Sequence, residues 1–168
     1  MDKYTEQIIV KKPDGMDRLK IALCILVIIV GVLSILFYDF GIGVAIVAVG
    51  GFLCYWANTY LKSEYEYLFI NGDCDVARII NQSSRKDVYS FKESDVTRVL
   101  PYNSDKFQNE IEINDKLSLK NLTSGNKDNT DSWYAFLTNS GKETVAVILE
   151  LNEKNIEHVN DCFKNKLN

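Results

Sequence analysis

The chain carries one histidine and four cysteines in 168 residues, and it holds no G-x-G-x-x-G, Walker A, H-E-x-x-H or G-x-S-x-G segment. Those absences exclude glycine loops that cradle phosphates, zinc-peptidase helices and nucleophile elbows. Cys24 and Cys54 lie inside apolar runs, while Cys74 and Cys162 stand far apart. Neither a metal-ligand spacing nor a dense disulfide framework is present, so no metal and no cofactor is expected. His158 and Cys162 fall four residues apart, which makes them neighbours on a helix, but no third group supports them as base and nucleophile. Catalysis is therefore not expected. Positive charge is also scarce where a nucleic-acid footprint needs it: residues 64–168 carry 13 Lys or Arg against 18 Asp or Glu. A nucleic-acid partner is excluded on that balance.

What the chain does have is two long apolar runs. Residues 21–38 and 40–57 contain no charge, and Asp39 stands between them. A bilayer core of about 30 Å takes roughly 17–25 helical residues to cross. Spans are expected over residues 20–38 and 41–60, within a transmembrane hairpin at 20–61. Tyr38, Phe40, Tyr55, Trp56 and Tyr60 gather at the ends, where aromatic rings sit well among headgroups. Gly31 and the Gly50-Gly51 pair offer surfaces for close helix approach. Asp39, with Phe40 to Gly43 behind it, makes a tight turn that forces the two helices antiparallel and both chain ends to one side. Lys11, Lys12, Arg18 and Lys20 precede the first run and Lys62 follows the second, which places both termini in the cytoplasm of a multi-pass cell-membrane protein. A cleaved signal fits poorly because a second long run follows. A hairpin enclosed by its own soluble domain would need more covering chain than about 100 polar-rich residues supply. For the cytoplasmic arm, residues 1–19, two readings stay open. Tyr4, Ile8 and Ile9 approximate a helical face that lies on the membrane until Pro13-Asp14-Gly15 breaks it, or the arm is a flexible tail.

From residue 64 the hydrophobic period becomes two. Tyr65, Tyr67 and Phe69 alternate with Glu66 and Leu68, and Asn71-Gly72-Asp73 makes a hairpin turn into Cys74 and Val76. Residues 86–91 form a third strand with Tyr89 and Phe91 inward. Ile111 and Ile113 are read as another strand, followed by a turn at Asn114-Asp115 and a short element through Leu117, Leu119 and Leu122. Residues 123–131 are a surface loop. Residues 133–138 and 143–151 are strands joined by a turn at Asn139-Ser140-Gly141-Lys142, the second apolar on both faces and so central or covered. Asn152 caps a closing helix over about 153–166, with Ile156, Val159, Cys162 and Phe163 on one stripe.

Six or seven short antiparallel strands followed by one helix, over residues 64–167, resemble a pleckstrin-homology-like fold of the type bacteria place after membrane helices. The expected class is thus an α+β membrane protein: a two-helix transmembrane hairpin, then a cytoplasmic antiparallel β domain at 64–168 with a C-terminal helix. A second resemblance spans nearly the whole chain. Met1 to Glu6, Val10-Lys11-Lys12, the two-span hairpin, Ser63-Glu64-Tyr65-Glu66-Tyr67, Phe69, Gly72, Asp75 and Arg85-Lys86 are similar to an uncharacterised family of small two-span membrane proteins of anaerobic Gram-positive bacteria. That resemblance implies architecture and no catalytic role.

Three groups of side chains qualify as candidate sites. Arg78, Arg85, Lys86 and Arg98 form a candidate patch facing anionic lipid, each cation worth on the order of 1 kcal/mol near such a surface. Tyr89, Trp133, Tyr134 and Phe136 form a candidate groove for a protein partner, with core packing as the plainer reading. Glu64, Glu66, Asp73 and Asp75 are dense enough to meet a cation, though strand alternation alone produces them. The function expected is a membrane-tethered, non-catalytic interaction or adaptor module. The alternatives are an anionic-lipid or envelope sensor and a non-catalytic subunit of a membrane enzyme complex. Its expected partners are the bilayer and either another membrane protein or a second copy of the chain.

Overall fold

A computed structural model describes residues 3–114, 116–140 and 143–167. Asp115, Gly141 and Lys142 of the expected turns and the side chain of Tyr60 lie outside the described residues, as do Met1, Asp2 and Asn168.

The apolar runs are helices α1, Gly15–Phe37, and α2, Phe40–Leu61. Asp14 starts α1 five residues before the expected position because its carboxylate accepts the Asp17 N–H at 2.8 Å while Asp17 reciprocates at 3.3 Å. The amides of Tyr38 and Asp39 both close on the Ser34 carbonyl at 3.0 Å, and Asp39 then caps α2 through the Ile42 N–H at 2.9 Å. Two residues therefore suffice for the turn, and Gly43, expected in it, serves elsewhere. A Cβ on Gly43 would sit 2.6 Å from the Ile35 amide nitrogen, and one on Gly50 would sit 2.8 Å from Ile28 Cγ1. These glycines, with Gly31, let the helices of this one chain touch backbone to side chain, whereas a Cβ on Gly51 meets nothing within 4 Å. Both helices are long and apolar enough to cross a membrane, and only 6% and 11% of their most apolar windows are buried. The β domain does not enclose them.

Among the described residues eight strands form two four-stranded sheets. The first runs in the order β1 (Tyr4–Val10), β2 (Ser63–Ile70), β3 (Asp73–Ile80) and β4 (Ser84–Phe91), all antiparallel. The β2–β3 turn needs left-handed backbone at both central residues, which Asn71 (φ 51°) and Gly72 (φ 94°) supply. The second sheet runs β5 (Val96–Pro101), β7 (Trp133–Ser140), β8 (Glu143–Glu150) and β6 (Ser118–Asn121). Here β6 lies parallel to β8, which corrects the purely antiparallel expectation.

The N-terminal arm is neither a surface helix nor a tail. β1 pairs with β2 from Tyr4↔Ile70 to Val10↔Glu64, so the edge that β2 would otherwise leave open is closed. Gln7 explains why the arm docks: its amide donates to the Glu150 carbonyl at 3.0 Å and accepts from Asn152 N at 2.9 Å and Asn155 Nδ2 at 2.7 Å. At the far end Lys3 pairs with Asp161.

The expected strand at Ile111 and Ile113 is instead helix α3, Asp105–Ile113, capped by Ser104 and anchored by buried Phe107. Its relevant spacing is Phe107 to Ile111, four residues; Ile113 is 83% exposed. α4, Glu153–Cys162, follows its Asn152 cap and ends four residues before the expected limit, after which the chain bridges Leu167 to Val99.

Two cores result. Between the sheets lie Tyr67, Phe69, Val76, Phe91, Phe136, Val147 and Leu149, covered by Val159 and Phe163 at α4. Fully burying a side chain of this size contributes roughly 1.5–3 kcal/mol. On the outer face of the second sheet Trp133, Ala135, Leu137, Ala146 and Ile148 pack with Leu100 and Phe107. β8 thus buries alternate residues on both faces, as its composition requires.

Candidate functional site

The helices and the sandwich meet where β1 ends and β2 begins. The β1–β2 ladder continues through Lys11 N–H to the Ser63 carbonyl at 2.9 Å, and Lys12 N–H reaches the Ser124 carbonyl at 2.7 Å. The whole helical pair is therefore an insertion between two hydrogen-bonded neighbours of one sheet. Two points of entry, both anchored in the sheet, hold a hairpin more firmly than a single flexible linker does.

At this junction a cleft of about 500 Å³ opens among Met16, Lys20, Trp56, Leu61 and Arg78. Asp17, 8% exposed, is compensated by Lys11 at 3.6 Å and Lys20 at 3.5 Å, which reconciles its burial with its charge. Of the candidate lipid-facing residues, Arg78 reaches this cleft and donates to Ser63 Oγ at 3.1 Å. Lys86 stands opposite it in the register. Arg85 alternates to the other face, where it pairs with Glu66 at 2.9 Å, and Arg98 belongs to the second sheet and pairs with Glu110. The four cations do not converge into one patch, because strand alternation and the sheet boundary separate them.

The aromatic groove is corrected as well. Phe136 is fully buried between the sheets, Trp133 is 3% exposed in the other core, and Tyr134 packs on the Phe136 side. Successive residues of β7 point to opposite faces, so these side chains cannot line one groove. Tyr89 is half-buried, bonded to Thr138 Oγ1 at 2.8 Å beneath the Lys120 ammonium. The acidic constellation is likewise dispersed: Glu66 pairs with Arg85, and Asp73 accepts the Glu93 N–H at 3.1 Å.

His158 is buried against Phe69 at 5.7 Å between ring centroids. Burial, helped by the Lys3 ammonium and opposed by Asp161, pushes its pKa below the ordinary 6.5; burial pushes the Cys162 thiol above its ordinary 9.0. Both groups are thereby held neutral, the opposite of an activated thiolate and imidazolium. Among the described residues no group of three or more His, Cys, Asp and Glu side chains is placed to hold a metal ion.

Two stacked sheets with a C-terminal helix against them define a PH-like α+β protein with a helical pair inserted after its first strand. The chain belongs to the family described as bacterial PH-like domain (DUF6106), whose model matches residues 1–168. Domains of the PH-like type generally serve as non-catalytic modules that bind proteins or lipids. Searches of curated proteins and of solved structures find no match.

Sequence reasoning missed the junction because its parts are dispersed, with Lys11 from the link after β1, Lys20 from α1, Trp56 from α2 and Arg78 from β3. No hydrophobic alternation marks β1, because Thr5 and Gln7 are polar on its inward face while Tyr4 and Ile8 are apolar on its outward one.

Proposed function

We propose that this protein is a membrane-anchored, non-catalytic adaptor: α1 and α2 cross the cell membrane as a hairpin, both termini are cytoplasmic, and the sandwich binds another membrane protein at the inner surface. One observation carries the reading, namely that the hairpin is inserted between adjacent strands β1 and β2. An anchor built this way limits rotation of the domain as well as its distance from the bilayer. Confinement raises the effective concentration of co-resident partners, so a weak interface suffices.

Charge supports the orientation. Lys11, Lys12, Lys20 and Lys62 lie at the sandwich end of the helices and only Asp39 at the turn. The exposed apolar surface, with Leu23 at 53% and Phe52 at 66%, supports insertion. The test is photocrosslinking in native membranes from a probe at Lys86 on the sandwich, compared with one at Tyr38 beside the turn. A recurrent protein captured from Lys86 and not from Tyr38 is the expected result; equal capture from both positions refutes an adaptor surface on the sandwich.

A further inference from the structure

Glycine sets how closely the two helices meet, and it does so at regular intervals. A Cβ on Gly43 would lie 2.6 Å from the Ile35 amide nitrogen, one on Gly31 2.8 Å from that of Val47, and one on Gly50 3.2 Å from that of Ile28. These layers recur every four or three residues along each helix, the spacing of an a/d seam between antiparallel helices. With bonds of about 1.5 Å at either end, the last contact holds the Cα atoms of Gly50 and Ile28 within about 6 Å of each other.

One step further toward the sandwich, the same seam sets Cys24 of α1 opposite Cys54 of α2. In the three preceding layers a glycine on one helix makes room for a β-branched side chain on the other. Here each helix presents a thiol, and the two thiols are hydrogen-bonded to each other. Both are free. A disulfide requires Cα atoms roughly 4.4–6.8 Å apart, a range that the packing already reaches in the layer before. The pair is also approachable. Cys24, about two and a half turns into α1, lines the junction cleft of about 500 Å³ together with Lys11, Asp14 and Lys20.

We propose that Cys24 and Cys54 form a reversible disulfide, driven by hydrogen peroxide, that staples the base of the hairpin. Peroxide is small and uncharged, so it can enter the cleft and meet Cys24 first. Cys24 Sγ attacks one peroxide oxygen, the O–O bond breaks, and the other oxygen leaves as water with the thiol proton; Cys24 becomes a sulfenic acid. Cys54 Sγ then attacks that sulfur, the S–O bond breaks, and the hydroxyl leaves as a second water with the Cys54 proton. Two thiols lose two electrons in all, and one peroxide becomes two waters. The new bond ties α1 to α2 close to where α1 leaves β1 and α2 enters β2, and a thiol reductant reverses it by exchange. The inference concerns the hairpin and does not depend on the adaptor reading or its protein partner.

The test treats the full chain in nanodiscs with hydrogen peroxide, unfolds it, blocks the remaining thiols with N-ethylmaleimide and digests it for mass spectrometry. The expected product is a pair of peptides from one chain joined through Cys24 and Cys54, with loss of two of the four alkylatable thiols and their recovery after a phosphine reductant. In Cys54→Ala the reaction is expected to stop at Cys24, which dimedone then captures as the sulfenic acid. Circular dichroism checks that the variant keeps its helices, and the unsubstituted chain decides the matter without it. Absence of the joined peptides overturns the proposal, as does a product linked only through Cys162. So does a Cys24–Cys54 link that forms equally well in chain unfolded beforehand, because it would owe nothing to the seam.

Discussion

Replacing Gln7 by Ala tests whether the N-terminal strand is part of the sandwich or merely lies beside it. The substitution removes three hydrogen bonds, to the Glu150 carbonyl and from Asn152 N and Asn155 Nδ2. Asn155 is fully buried, and its Oδ1 already lacks a partner, so losing the bond at Nδ2 leaves the whole amide unsatisfied. A buried polar group left without its partner costs about 1–3 kcal/mol. The Glu150 carbonyl is partly buried and adds a smaller amount, whereas Asn152 N is exposed and turns to water. The expected loss is about 2–4 kcal/mol, a large share of the 5–15 kcal/mol typical of a domain. Gln7→Glu keeps an acceptor for Asn152 and Asn155 but sets a carboxylate oxygen against the Glu150 carbonyl where the donor stood, so at neutral pH it should destabilise at least as much as Gln7→Ala. Urea unfolding in nonionic detergent, followed by tryptophan emission, measures both. A Gln7→Ala variant within about 0.5 kcal/mol of the parent refutes the reasoning, because β1 would then contribute nothing through its central side chain.

Two further predictions concern other elements. Gly50→Ala forces its Cβ to 2.8 Å from Ile28 Cγ1 and 3.2 Å from Ile28 N, so thermal unfolding in detergent should come earlier. Gly51→Ala meets nothing within 4 Å and should leave stability unchanged or raise it by up to about 1 kcal/mol through helix propensity. His158 supplies a pH dependence. Its folded pKa lies below the unfolded 6.5, so the folded state binds fewer protons than the unfolded chain below that pH; the stability contribution is complete above 6.5 and is lost as pH falls from there toward the folded value. Denaturation midpoints should therefore fall between pH 7.5 and 5, and His158→Gln should flatten that part of the profile.

The parts of this fold that sequence reading recovered are those whose signal is local. Two uninterrupted apolar runs announce the hairpin, and the strict alternation of Tyr65, Tyr67 and Phe69 announces an inward strand face. β1 escaped because its partner is more than 50 residues away and only Ile9 among its residues is buried, so its commitment lies in Gln7, a polar side chain that no periodicity flags. α3 escaped for the opposite reason. Two isoleucines at spacing two imitate a strand, while the Ser104 cap and the Phe107 anchor that decide the helix lie outside that pair. Lys11 and Lys12, which the sequence offers as topological charges, come together with Trp133, a groove candidate for which core packing is the plainer reading. What unites them is the ladder that carries β1 alongside β2.

The central claim, a hairpin that crosses the membrane while β1 and β2 stay together on its cytoplasmic side, is tested most directly by cysteine accessibility. In a background with Cys162→Ser, cysteines introduced one at a time at Asp39 and at Lys86 are exposed to a membrane-impermeant maleimide on intact spheroplasts and again after lysis. The account predicts labelling at position 39 in intact spheroplasts and at position 86 only after lysis. Labelling of both positions before lysis, or of position 39 only after it, contradicts the account.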